Sequence, residues 1–129
     1  MNDALAAARA YIGKSAYRRY VDENDAPLVV NCITLVKWIY RLRGVQLPSD
    51  YLSWIAIGRP IERSFIASYD LVFTDGYQNQ LVEAVGNIGH VGLVTERSTI
   101  IHATNVVGIE ELPFDLFFRK RTFCCARRI

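Results

Sequence analysis

Three side chains carry the types that a nucleophilic hydrolase needs: Cys32, His90 and His102, the two histidines being the only ones in the chain. A thiolate attacks a carbonyl, an imidazole takes and returns the proton, and a third polar group fixes the ring's orientation. In this assignment Cys32 is the nucleophile, His90 the general base and acid, and His102 the orienting group. The same residue types bind zinc, but no CxxC, HxxxH or HExxH spacing occurs and a structural zinc needs a fourth ligand. There is no phosphate-cradling glycine loop and no GxSxG elbow. No metal and no cofactor are therefore expected. Taken singly, each residue has a plainer role: free cysteine is commonly a small buried filler, and histidines on strands are commonly satisfied polar groups.

The element that must position Cys32 runs from Asn31 to Pro48. Asn31 is a favoured N-cap, Gly44 occupies the place of a left-handed C-terminal cap, and Pro48 closes the segment. Cys32, Leu35, Val36, Ile39 and Leu42 recur as one apolar stripe, with Thr34, Lys37 and Arg41 on the polar side. A thiol in the first turn lies beside unpaired N–H groups and the positive end of the helix dipole. Both favour thiolate, and the same N–H groups can receive an oxyanion.

The histidines fall on a hairpin, Gly89–Thr95 and Ser98 or Thr99–Ala103, joined by Glu96-Arg97-Ser98. A turn centred on Glu96 sets His90 directly opposite His102, with Cβ atoms roughly 4.5 to 5.5 Å apart. A slip of one residue would put the rings on opposite faces.

Around these elements the expected order is a helix from Asp3 to about Ile12 ended by Gly13, a loop over 14–30, and a helix from Ser49 to Ile57 capped by Ser49 or Asp50. Arg59–Ser68 has no period. Strands are expected at Leu71–Phe73, Leu81–Val85, Gly108–Leu112 and Arg121–Arg128, with a turn or short helix at Pro113–Phe118. Helices first and strands afterwards predict an α+β domain, N-terminal helices packed on one antiparallel sheet, spanning residues 1–129 as one unit.

Composition narrows the partners. A chain of 129 residues, 51% hydrophobic, can bury one core, and a net charge of +2 does not call for nucleic acid. The first twenty residues lack a secretory apolar block and no run is long enough to span a membrane, so no membrane association and, as written, a cytoplasmic location are expected, with delivery by another route as the alternative. Three cysteines, with Cys124 and Cys125 adjacent, make a poor disulfide framework and read as strand filler.

Together, Asn31-Cys32-Ile33-Thr34-Leu35-Val36, Asp70-Leu71-Val72-Phe73, His90-Val91-Gly92-Leu93 and His102-Ala103 resemble the NlpC-type family of cysteine peptidases, compact papain-like domains that cleave peptide stems of bacterial cell walls. The closing Arg127-Arg128 is similar too. The resemblance implies the nucleophile, base and orienting roles for Cys32, His90 and His102. It implies a role near the oxyanion for Tyr17, in Gly13-Lys14-Ser15-Ala16-Tyr17, and substrate-binding positions at Asn31 and Ile33. Asn31 and Ile33 replace the family's Asp and Ser, and Arg18-Arg19-Tyr20 replaces Trp-Gly-Gly, which implies retained chemistry with altered specificity. The segment between Phe73 and His90, with Asp75, Tyr77, Gln78 and Asn79, reads either as reshaping the cleft or as a disordered loop. The implied substrate is a peptide or other amide, and the implied reaction is hydrolysis through an acyl-thioester. Acyl transfer on the same residues and a binding module without catalysis are the alternatives.

Overall fold

A computed structural model of the protein describes residues 3–76, 79–82 and 85–129. The helical half comprises α1 (Ala4–Arg9), β1 (Ala16–Tyr17), a 3-10 turn at Glu23–Asp25, β2 (Val29–Val30), α2 (Cys32–Leu42) and α3 (Tyr51–Ile57). The strand half comprises β3 (Arg59–Ile61), β4 (Leu71–Thr74), β5 (Gln80–Val82), β6 (Gly86–Ile88), β7 (His90–Val94), β8 (Thr99–Thr104), β9 (Gly108–Pro113), α4 (Phe114–Lys120) and β10 (Phe123–Arg128). The mixed α+β class is as expected, and a six-stranded antiparallel sheet in the order β3-β10-β4-β7-β8-β9 is its centre.

Several boundaries move. The first helix is shorter than its propensity predicts, with Asp3 capping the Ala6 N–H and Gly13 at φ +80° ending the turns that follow. The expected loop over 14–30 contains β1 and β2, which pair in parallel as a second small sheet. The unpatterned stretch after Gly58 supplies β3, an edge strand on β10. Leu81–Val85 divides between β5 and the approach to β6, with part of it, like Tyr77 and Gln78, outside the described residues. The final strand is less buried than expected, since of Thr122 to Ala126 only Ala126 is fully enclosed.

Helix α2 forms as its ends predict. Asn31 Oδ1 accepts from the N–H groups of Ile33 and Thr34, Thr34 Oγ1 accepts from Asn31 N–H, and Gly44 has φ +80°. Its polar side differs from expectation: Thr34 and Lys37 are both buried. Thr34 is spent on the capping box, and Lys37 is neutralised by an ion pair with Glu23 in the 3-10 turn.

Both faces of β4 and β7 are covered, which explains why neither strand alternates in burial. One face meets the helical half, with Leu71, Phe73, Val91, Leu93 and Ile101 in one cluster with Leu35, Val36 and Ile39. On the other face Val72, Val94, Ile100 and Ala126 pack with Phe117 of α4. Among the described residues no helix is long and apolar enough to cross a membrane.

Candidate active site

The two histidines share a face, but not the expected register. Leu93 pairs with Ile101 and Val94 with Ile100, so the turn is centred on Arg97, and His102 falls opposite Gly92, two places from His90. Glu96, Arg97 and Ser98 form the three-residue loop, with Ser98 in the left-handed region at φ 58°. A shift of two places keeps the face and makes the rings diagonal neighbours. Gly92 permits the approach. A Cβ there would stand 2.5 Å from Ile100 Cγ2 and 3.5 Å from both His102 Cβ and Phe117 Cζ. The result is a contact of 2.8 Å between His90 Nε2 and His102 Nδ1.

The chain of contacts continues to a residue that motif reasoning missed. His102 Nε2 lies 2.8 Å from Glu110 Oε2, because β8 and β9 pair His102 with Glu110. An ionised Glu110 only accepts, so His102 carries its proton on Nε2 and accepts at Nδ1. His90 then donates from Nε2 and keeps a lone pair on Nδ1, the atom a general base uses. Phe117 packs against both rings, centroids 6.3 Å from His90 and 5.0 Å from His102. The signal for Glu110 was present: a turn centred on Val106 places an acidic side chain directly across from His102.

Cys32 lines the same cavity as these rings from the other layer. The histidines point toward α4, whereas the body of α2 covers the opposite face. The Val91 backbone N–H faces the Cys32 sulfur, and Cys32, His90 and His102 line one cavity of about 730 Å³. Tyr17 lies on the same wall, half-buried, its hydroxyl pushed up by burial and then by the Cys32 charge.

The helix start and the burial of Cys32 act in opposite directions. Burial pushes the Cys32 thiol up, and the Val91 N–H, the Arg121 charge and the N–H groups of Cys32 and Ile33 oppose it without prevailing. Burial also lowers both imidazoles, His90 well below its ordinary value and His102 to about 3, with Arg121 adding to each. Burial thus favours the neutral form of both thiol and imidazole.

Asn31 and Ile33 do not line the cavity. Asn31 is occupied: besides capping α2, its Nδ2 donates to the Arg19 carbonyl. The cap also takes the Ile33 and Thr34 N–H groups, which leaves the Cys32 N–H as the donor of the first turn open to a substrate oxygen.

No curated protein matches the chain closely. Solved structures do, at the level of fold. NlpC2 from Trichomonas vaginalis superposes with a TM-score of 0.73 at 17% identity, over 97% of this chain and 44% of that one. The peptidoglycan hydrolase RipB from Mycobacterium tuberculosis gives 0.67 at 18%, over 98% and 62%. RipD from the same organism, described as a non-catalytic NlpC/p60 domain protein adapted to peptidoglycan binding, gives 0.61 at 13%, over 98% and 94%. The chain spans less than half the length of the first structures it matches, from 39% to 44%. A family model covers far more of it, matching residues 16–128 and so enclosing α2, the histidine hairpin and the closing strand. By that match the chain belongs to the NlpC/P60 family.

Proposed function

We propose that the protein is a cysteine amidase or peptidase acting on peptides of the cell-wall type, with Cys32 as nucleophile and His90 as base. The observation that carries this reading is the 2.8 Å contact of His90 Nε2 with His102 Nδ1 in the cavity that Cys32 also lines. As Sγ attacks the carbonyl carbon, its proton passes to His90 Nδ1. The oxyanion forms beside the Cys32 N–H and the Tyr17 hydroxyl. Collapse breaks the C–N bond, His90 gives its proton to the departing amine, and a thioester remains. Water then attacks, delivering one proton to His90 and, through it, back to sulfur. Because burial favours the neutral thiol and ring, the proton leaves sulfur for His90 as Sγ attacks and not before. An amine acceptor in place of water would give acyl transfer through the same steps.

The test is cleavage of purified wall stem peptides by the parent and by Cys32→Ala. Turnover should fall at least about a thousandfold in the variant, with the circular dichroism spectrum unchanged. Equal activity in the two would end the mechanism. The altered flanks of Cys32, with Asn31 spent on its cap and neither Asn31 nor Ile33 on the cavity wall, support a second reading, a module that binds such peptides without cleaving them. Stem-peptide binding with no Cys32-dependent turnover would establish it.

A further inference from the structure

Cys124 and Cys125 take no part in the chemistry at Cys32, yet the sheet treats them unlike an ordinary pair of strand neighbours. Along β10, Phe123 pairs with Thr74 and Cys125 with Phe73, so Cys124 is an extra residue, a β-bulge. Phe123 and Ala126, on either side of the pair, pack on the α4 face of the sheet. Cys124 and Cys125 both pack on the opposite face, against the cluster shared with the helical half. In an even strand two consecutive side chains would diverge to the two faces. Here the thiols share one face and a hydrogen bond, in which the Cys125 S–H donates to Cys124 Sγ. The Cys124 S–H donates onward to the carbonyl of Val85, just ahead of β6.

We propose that Cys124 and Cys125 are a dithiol oxidation site, which a low-molecular-weight disulfide closes into an intrachain disulfide. Cys124 attacks one sulfur of the small disulfide, and the first small thiol leaves with the Cys124 proton. Cys125 then attacks Cys124 Sγ, the bond between the two cysteines forms, and the second small thiol leaves with the Cys125 proton. Two protein thiols are oxidised and one small disulfide is reduced. The order follows from the hydrogen bond: burial raises both thiols, Cys125 to about 11, but the Cys125 S–H favours a thiolate on Cys124. Both residues are only partly buried, so a small reagent can reach them. The backbone is free to follow the closure, since among the described residues Cys124 has no ladder partner and pairing with β3 begins only at Ala126. A disulfide sulfur has no proton to give the Val85 carbonyl. Closure therefore loosens the start of β6, the strand that leads through Gly89 into His90.

The test needs no turnover and holds whatever Cys32 does. Trypsin releases residues 122–127 as one peptide that carries both cysteines and no other. After the folded protein is treated with glutathione disulfide and its remaining thiols are alkylated, that peptide should be lighter by two hydrogens, with neither glutathione nor alkyl group attached. Cys125→Ser should stop at the mixed disulfide on Cys124. At one ratio of glutathione to its disulfide, the closed-to-open ratio should be about tenfold higher in the folded protein than in a synthetic peptide of residues 122–127, the gain from two side chains already ordered. A mixed disulfide that persists in the unmutated protein, or closure no more favourable than in the free peptide, would overturn the site. Hydrogen exchange at Gly86–Ile88 should quicken on closure and slow again with dithiothreitol, and unchanged exchange would refute the loosening of β6.

Discussion

The two halves of the site are built by different means. On the sulfur side the backbone does the holding: Cys32 is placed by the Asn31 capping box and meets the Val91 N–H. On the imidazole side, side chains hold one another in a row, His90 to His102 to Glu110, with Phe117 packed against both rings. A helix cap tolerates exchange among several short polar residues, because only an acceptor at the right place is needed. A row of rings tolerates little, because each member decides which nitrogen of the next one is protonated. Substitutions on the imidazole side should therefore act on chemistry, and substitutions around the cap on stability.

The sharpest way to break this contrast is Gly92→Ala. Its Cβ would press on Ile100 and His102, so the variant should lose about 1–3 kcal/mol of stability, and a larger share of activity as the rings part. Urea denaturation and kcat measure the two effects, and an active, fully stable variant would show that the close strand contact is dispensable.

The pH dependence comes next. Both rings titrate lower in the folded protein than the ordinary 6.5, so below that pH the unfolded chain binds protons that the folded one refuses. Stability is then lost as pH falls from 6.5 downward, with a slope of about 1.4 kcal/mol per pH unit for each ring. Glu111, held low with Arg9 and Thr99, adds its own loss only below its ordinary 4.5, which leaves pH 5 to 6.5 to the histidines. Denaturation across that window should show a shallower slope in His102→Asn.

Glu110→Gln should lower kcat by about tenfold, the low end for removal of a partner that orients a functional histidine, and leave KM in place. An equal fall in kcat and rise in KM would mean that Glu110 meets substrate directly. The smallest effect is on the other side: Asn31→Ala should cost about 1 kcal/mol of stability and Asn31→Asp almost none, with kcat little altered in both.

What could be read from the residues follows the same division. Asn31, Gly44 and the apolar stripe of α2 are local signals, and the helix they predict forms with its cap in place. The face shared by His90 and His102 was legible because side chains alternate along a strand, but their offset was not, since it turns on whether the loop centres on Glu96 or Arg97. β3 and β1 escaped notice because they are two- or three-residue strands that exist only through their partners. The thiol's raised pKa was equally out of reach: the helix terminus is visible in the residues, while the burial that overrides it comes from the assembled layers.

Glu110 stands on β9, which has a sheet neighbour on one side only. Edge strands detach at lower free energy than central ones, and brief fraying there would release the carboxylate that orders the whole row of rings. The next residue on the same strand, Glu111, is tied by Arg9 to the first helix. The grip of Arg9 on Glu111 should therefore set how much of the time the His90 ring is held by His102 and Glu110, and hydrogen exchange along β9 would time it.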